Sequence, residues 1–163
     1  MSGSGKSNSS SMQTEALYNT AGYSMCARGL LQRQGEVLLT LEGHDRMWRL
    51  PGGTVGPRET PVEALRRMML MALGIDVEPV SFIGVTHSPR DCSVQLVFEV
   101  RPVDGWNVDP DGDAVLHAMW FRDHALPANI CESARSVIEA AGGINSGPFL
   151  VTHGHDDTSI WQP

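Results

Sequence analysis

No apolar run in this chain approaches the roughly 20 consecutive residues that a membrane-spanning helix needs, which argues against a membrane partner. The first residues carry no apolar signal-peptide core either. Cysteine is scarce: Cys26, Cys92 and Cys131 are odd in number and widely spaced, which excludes a disulfide framework and fits reduced thiols in a cytoplasmic protein. Basic residues are outnumbered. Twelve Lys and Arg against 19 Asp and Glu leave a net charge of −7, against what a nucleic-acid backbone selects in its main partner. Five arginines, Arg46, Arg49, Arg58, Arg66 and Arg67, nevertheless lie close together in sequence. There is no internal repeat and no sign of a second domain. The 163 residues suit one domain with a real core.

Three regions divide the chain. Residues 1–15 open with MSGSGKSNSSSMQT, a Ser- and Gly-rich leader expected to be disordered. Its Gly5-Lys6-Ser7 lacks the earlier glycine and the preceding strand that a phosphate-binding P-loop requires. Residues 16–143 form the body, and residues 144–163 a C-terminal tail. Within the body, Tyr23–Leu31 and Glu36–Leu41 read as a hairpin closed by a turn at Gly35. Val77–Thr86, Cys92–Val100 and Val115–Phe121 read as further strands. In Cys92–Val100 the alternation sets Val94, Leu96, Phe98 and Val100 on one face, with Gln95, Val97 and Glu99 on the other. A second helix is expected to start at Asn129, carrying the apolar stripe Ile130, Ala134, Val137, Ile138 and Ala141.

The most informative stretch is WRLPGGTVGPRETPVEALRRMMLMALGI, from Trp48 to Ile75. Gly52 and Gly53 permit a tight turn and close approach of backbone to a ligand. Thr60 and Glu63 spell a capping box, Pro61 suits the first helical turn, and Gly74 is a C-terminal stop, so a helix is predicted from Pro61 to about Leu73.

Gly53, five residues, Glu59, seven residues, Arg67 and then Gly74-Ile75 resemble the Nudix box, and the Leu-Pro-Gly-Gly lead-in at Leu50–Gly53 matches as well. The resemblance implies an α/β fold, an α/β/α sandwich with a mixed β-sheet between helices. It departs where the family carries metal-binding glutamates, because those positions read Met68, Met71 and Ala72. Glutamates at such a helical set gather oxygen ligands around Mg²⁺. A thioether is a poor ligand for that hard cation, and alanine supplies none. The resemblance therefore implies the fold and a pocket without the family's metal, and no cofactor is expected.

Replacement chemistry is then sought among groups aimed at the same cleft. The candidates for proton transfer are His117, where many relatives carry a glutamate, His87 near a strand end, and Glu99 on the polar face of its strand. For substrate binding they are Arg49 and Arg46 for an anionic group, Gly52 and Gly53 at the turn, Gln95, and Met68 and Met71 as an adaptable apolar wall. The tail sequence His153-Gly154-His155-Asp156-Asp157 offers ligand types for a metal but reads as a solvated terminus. The expected partner is a small-molecule substrate or ligand, and family members often form homodimers. Three functions follow: an enzyme repurposed for metal-independent His/carboxylate acid–base chemistry, a non-catalytic binder, or a nucleoside-diphosphate hydrolase with metal ligands from outside the box, such as Glu99, Asp111, Asp113 or the tail.

Overall fold

The computed structural model describes residues 22–42, 45–89, 92–105, 115–143, 148–153 and 158–161. Strand β1 (Ser24–Leu30) leads through β2 (Gln32–Arg33) into β3 (Glu36–Glu42). Gln34 and Gly35 both take positive φ, 46° and 76°, which closes a β2–β3 hairpin in two residues. The hairpin expected between Tyr23–Leu31 and Glu36–Leu41 is confined to this tip, because β1 itself pairs with β5 and β7. Then come β4 (Trp48–Arg49), β5 (Gly52–Thr54) and helix α1 (Pro61–Leu73). Strands β6 (Val77–Ser88), β7 (Ser93–Pro102) and β8 (Val115–Arg122) follow, then helix α2 (Glu132–Ala141), β9 (Phe149–His153) and β10 (Thr158–Trp161).

Six strands pair in the order β10-β9-β6-β7-β1-β5. The β1–β7 and β6–β9 pairs are parallel and the other three antiparallel, so the sheet is mixed. A smaller sheet is built on β3, which pairs with β2, β4 and β8. Helix α1 buries Leu65, Met69 and Leu73 with Ala27, Leu31, Leu38, Val77 and Val100. Helix α2 buries Ala134, Val137 and Ile138 against Leu30, Leu41, Trp48, Val97, Phe149 and Val151. Each helix thus turns one apolar stripe inward, and the α/β/α sandwich follows. The alternation in β7 does what its sequence requires: Val97 enters the α2 core and Val100 the α1 core.

Two further sequence expectations need correction. Helix α2 begins at Glu132 rather than at Asn129, with Cys131 in the cap position and no side-chain cap. Asn129 is used elsewhere: its amide nitrogen donates to the Arg46 carbonyl at 2.9 Å, and its own carbonyl accepts from the Trp48 N–H at 3.0 Å. Among the described residues after 143, Phe149–His153 is not a tail. It joins the large sheet beside β6, because Phe149 and Val151 are apolar at alternate positions and fill the α2 core.

Candidate functional site

The turn before α1 demands glycine at position 52 and packs Gly53 closely under a flexible side chain. Gly52 has φ +141°, and a Cβ there would stand 2.1 Å from the Ala27 carbonyl oxygen on the adjoining β1. Gly53 lies under Met68, whose Cε would be 2.7 Å from an added Cβ. Helix α1 starts with the full capping box: Thr60 Oγ1 accepts from the Glu63 N–H at 3.2 Å, and the Glu63 carboxylate accepts from the Thr60 N–H at 2.8 Å. The Thr60 N–H first, then the Thr60 hydroxyl, which donates to the same carboxylate oxygen at 2.8 Å, hold the Glu63 pKa below its ordinary value. Gly74 ends the helix in the left-handed region.

Glu59 is the clamp of the loop. Arg67 donates to it twice, Nε to Oε1 at 2.6 Å and Nη2 to Oε2 at 2.8 Å, and the Gly56 N–H adds a third bond at 2.8 Å. The guanidinium first, then the backbone donor, lower its pKa to about 2. Both carboxylates of this segment are therefore committed to holding the loop and the helix start. The helix face that would hold Mg²⁺ presents Met68, half-buried on Gly53, Met71, 65% exposed, and Ala72. This donor set does not fit a hard divalent cation. Among the described residues no three His, Cys, Asp or Glu side chains gather to hold a metal. Asp111, Asp113 and residues 154–157 lie outside the described residues.

A polar cleft of about 740 Å³ opens on the α2 side of the large sheet. The strand registers explain it. On that face the rows above Val97 and Val151 turn polar, with Gln95 and Ser93 on β7, Ser88 on β6, Cys26 and Arg28 on β1, and His153 on β9. Glu42, Asp45, Met47 and Arg49 close it from β3 and β4, and Cys131, Glu132 and Ser133 from the start of α2. Arg28, only 8% exposed, donates through Nη1 to Glu42 Oε1 at 2.9 Å and to the Leu50 carbonyl at 3.1 Å. Arg49 donates to the second Glu42 oxygen at 3.0 Å and pairs with Asp45. Glu42 is thereby held between two guanidinium groups. His153, 6% exposed, has Nδ1 3.6 Å from Glu132 Oε1.

Of the residues singled out from sequence, Arg49 and Gln95 line this cleft. Gly52 and Gly53 lie on β5, paired with Arg28 and Ala27. The three proton-transfer candidates are not brought together. His117 is exposed on β8 opposite Leu41. His87 points to the other sheet face from Ser88, with its ring centroid 5.2 Å from that of Tyr23. Glu99 is exposed and accepts from Ser81 Oγ at 3.1 Å. Arg46 is exposed and engaged through its backbone, and Met68 and Met71 lie on α1 outside the cleft lining. Sequence reasoning missed Arg28, Glu42, Ser88, Ser93, Glu132 and His153. A signal existed for the serines: Thr86-x-Ser88 and Ser93-x-Gln95 place polar side chains at alternate positions on a face that should otherwise be apolar.

Comparison with known proteins places this geometry in context. The model of the NUDIX domain matches residues 22–141. The 8-oxo-dGDP phosphatase NUDT18 of Homo sapiens is 35% identical over 102 residues, covering 60% of this chain and 31% of that protein. The chain thus spans about a third of the length of that relative. A MutT-like protein of Streptomyces ambofaciens is 27% identical over 133 residues, with 80% of this chain and 84% of that protein covered. Among solved structures, an ADP-ribose pyrophosphatase of Streptococcus suis superposes with a TM-score of 0.62 at 18% identity, over 78% of this chain and 98% of the other.

Proposed function

The chain belongs to the NUDIX family, and from that premise we propose that it is a repurposed Nudix-fold enzyme acting on a small anionic molecule without a metal on its box helix. The observation that carries this reading is the combination of an intact box scaffold with Met68, Met71 and Ala72 at the ligand positions. The Glu59–Arg67 clamp, the capping box and the glycine turn support a retained loop and pocket. The donor set supports the loss of the family's Mg²⁺ chemistry.

The His/carboxylate chemistry that this reading needs falls to His153 and Glu132, which face each other in the cleft. Neutral imidazole accepts a proton from a bound substrate, and a carboxylate beside it orients the ring and favours the imidazolium that forms. Arg49, and the Arg28 side chain behind it, supply guanidinium N–H donors that an anionic substrate would meet, in competition with the Glu42 and Asp45 carboxylates they already hold.

A second reading rests on the relatives' names. The human relative is an 8-oxo-dGDP phosphatase and one structural neighbour an ADP-ribose pyrophosphatase. Pyrophosphate hydrolysis by this chain would need metal ligands from outside the box. Incubation of 8-oxo-dGDP and ADP-ribose with the wild type and with His153→Asn separates the two. The proposed reading expects any turnover to persist in chelator and to fall at least about 100-fold in the variant. Turnover that needs Mg²⁺ and survives in His153→Asn supports hydrolysis in the relatives' manner.

A further inference from the structure

Buried polar atoms in folded proteins almost always have hydrogen-bond partners, so an orphan on the floor of a cleft asks what satisfies it. Four such atoms occur among the described residues: Arg28 Nε, Thr86 Oγ1, and both ring nitrogens of His153. They are not scattered. Arg28 and His153 line the cleft, and Thr86 lies on the same face of β6 as Ser88, opposite Gln95 on one side and Val151 on the other. Both cleft residues are more than nine-tenths buried. The first turn of the ten-residue α2 borders the same space, its cap residue Cys131 making no side-chain cap bond.

The charges are divided across the space. At the β1–β4 end stand Arg28 and Arg49, with Glu42 already shared between them and Asp45 paired with Arg49, so that the free capacity left there is the Arg28 Nε–H. At the β9–α2 end stands the Glu132 carboxylate beside the imidazole. A guanidinium N–H can only donate, a carboxylate can only accept, and an imidazole can do either. The complementary molecule therefore carries an acceptor at one end and a donor at the other.

We infer that His153 and Arg28 form a ligand subsite for a small molecule bearing a hydrogen-bond acceptor beside a hydrogen-bond-donating group. The acceptor meets the Arg28 Nε–H, and the donor meets His153, with Glu132 as the positioning residue of the ring. This assignment rests on the cleft being the working site of the protein. It also has a consequence that needs no knowledge of the natural ligand. A buried imidazole kept for binding lowers the stability of the ligand-free protein, because its ring nitrogens give up water and gain no hydrogen bond beyond the 3.6 Å approach of Glu132 to Nδ1. An apolar residue of similar volume there stabilises the empty protein and weakens binding, the usual trade at a functional site.

Thermal unfolding of the ligand-free wild type, His153→Leu and His153→Gln, together with calorimetric titration of each with ADP-ribose, tests this. ADP-ribose joins an anionic diphosphate to hydroxyl and amine donors. The expected results are a Tm for ligand-free His153→Leu about 2–4 °C above wild type, an affinity for ADP-ribose at least about tenfold weaker, and partial recovery of affinity in His153→Gln, which keeps a donor and an acceptor. A Tm for ligand-free His153→Leu below wild type overturns the inference, because the ring then already has partners and serves the fold. So does an affinity that His153→Leu leaves unchanged, and so does a wild type that binds no ADP-ribose. Chelator-sensitive hydrolysis of ADP-ribose is a separate result: it would refute the metal-free reading of the enzyme and leave the His153 assignment standing.

Discussion

Glu42 is the post to which both cleft arginines are tied, and its removal and theirs should not act independently. Arg28 donates to one carboxylate oxygen at 2.9 Å and Arg49 to the other at 3.0 Å, with the Glu42 side chain 20% exposed and that of Arg28 10%. Stripping one partner from a fully buried pair costs about 3–5 kcal/mol. In Arg28→Met, Glu42 keeps Arg49, so the expected loss is smaller, about 2 kcal/mol. In Glu42→Gln, Arg28 keeps its bond to the Leu50 carbonyl, and the loss should be about 1–2 kcal/mol. The double variant Arg28→Met/Glu42→Gln removes both members of the Arg28–Glu42 pair, while Arg49 loses Glu42 as it does in the single variant and keeps Asp45. Its cost should fall short of the sum by about 1–2 kcal/mol, the coupling expected for contacting members of one network. Urea denaturation of all four proteins, with slopes compared to confirm two-state unfolding, measures that coupling. Additivity within about 0.5 kcal/mol would refute the account of Glu42 as the shared anchor.

Gly52→Ala should destabilise by about 3 kcal/mol or more, since the methyl group meets the Ala27 carbonyl oxygen and φ is +141°. Gly35→Ala, also at positive φ but with open space around it, should cost only about 1 kcal/mol, and equal costs in denaturation would remove the steric argument. Glu59 has its pKa lowered from 4.5 to about 2, so the stability it contributes is complete above pH 4.5 and is lost as pH falls toward 2. The Tm gap between wild type and Glu59→Gln should therefore be wide at pH 7 and narrow at pH 3; a gap that does not change with pH would contradict the clamp. The triple variant Met68→Glu, Met71→Glu, Ala72→Glu should gain a Tm increase with Mg²⁺ that wild type lacks, and an equal Mg²⁺ response in both would show that the methionines do not decide metal binding.

Helix α1 was legible residue by residue, because Thr60, Pro61, Glu63 and Gly74 are local signals whose physics acts within one or two turns. Strands β1, β3, β6, β7 and β8 were legible to within two residues for the same reason of local periodicity, whereas β9 and β10 were read as a tail. Asn129 misled because its side chain bonds to Arg46, 83 residues away, which no local pattern reports. The cleft was legible only in part. Arg49 and Gln95 stood out as polar residues near the glycine turn or on a half-polar strand. His153 did not, since a histidine before Gly-His-Asp-Asp reads as a solvated end. Only the parallel pairing of β9 with β6 carries it under α2 and into the cleft. Sites assembled by the lateral order of strands are invisible to periodicity, which speaks of faces and not of neighbours.

The central claim is that this NUDIX-family chain kept the box scaffold and gave up its metal. The most direct measurement is hydrolysis of 8-oxo-dGDP and ADP-ribose by the wild type, with Mg²⁺ or Mn²⁺ and with excess EDTA. The account predicts no metal-stimulated release of monophosphate product from either compound. Robust turnover that appears with the metal and vanishes with chelator would contradict it.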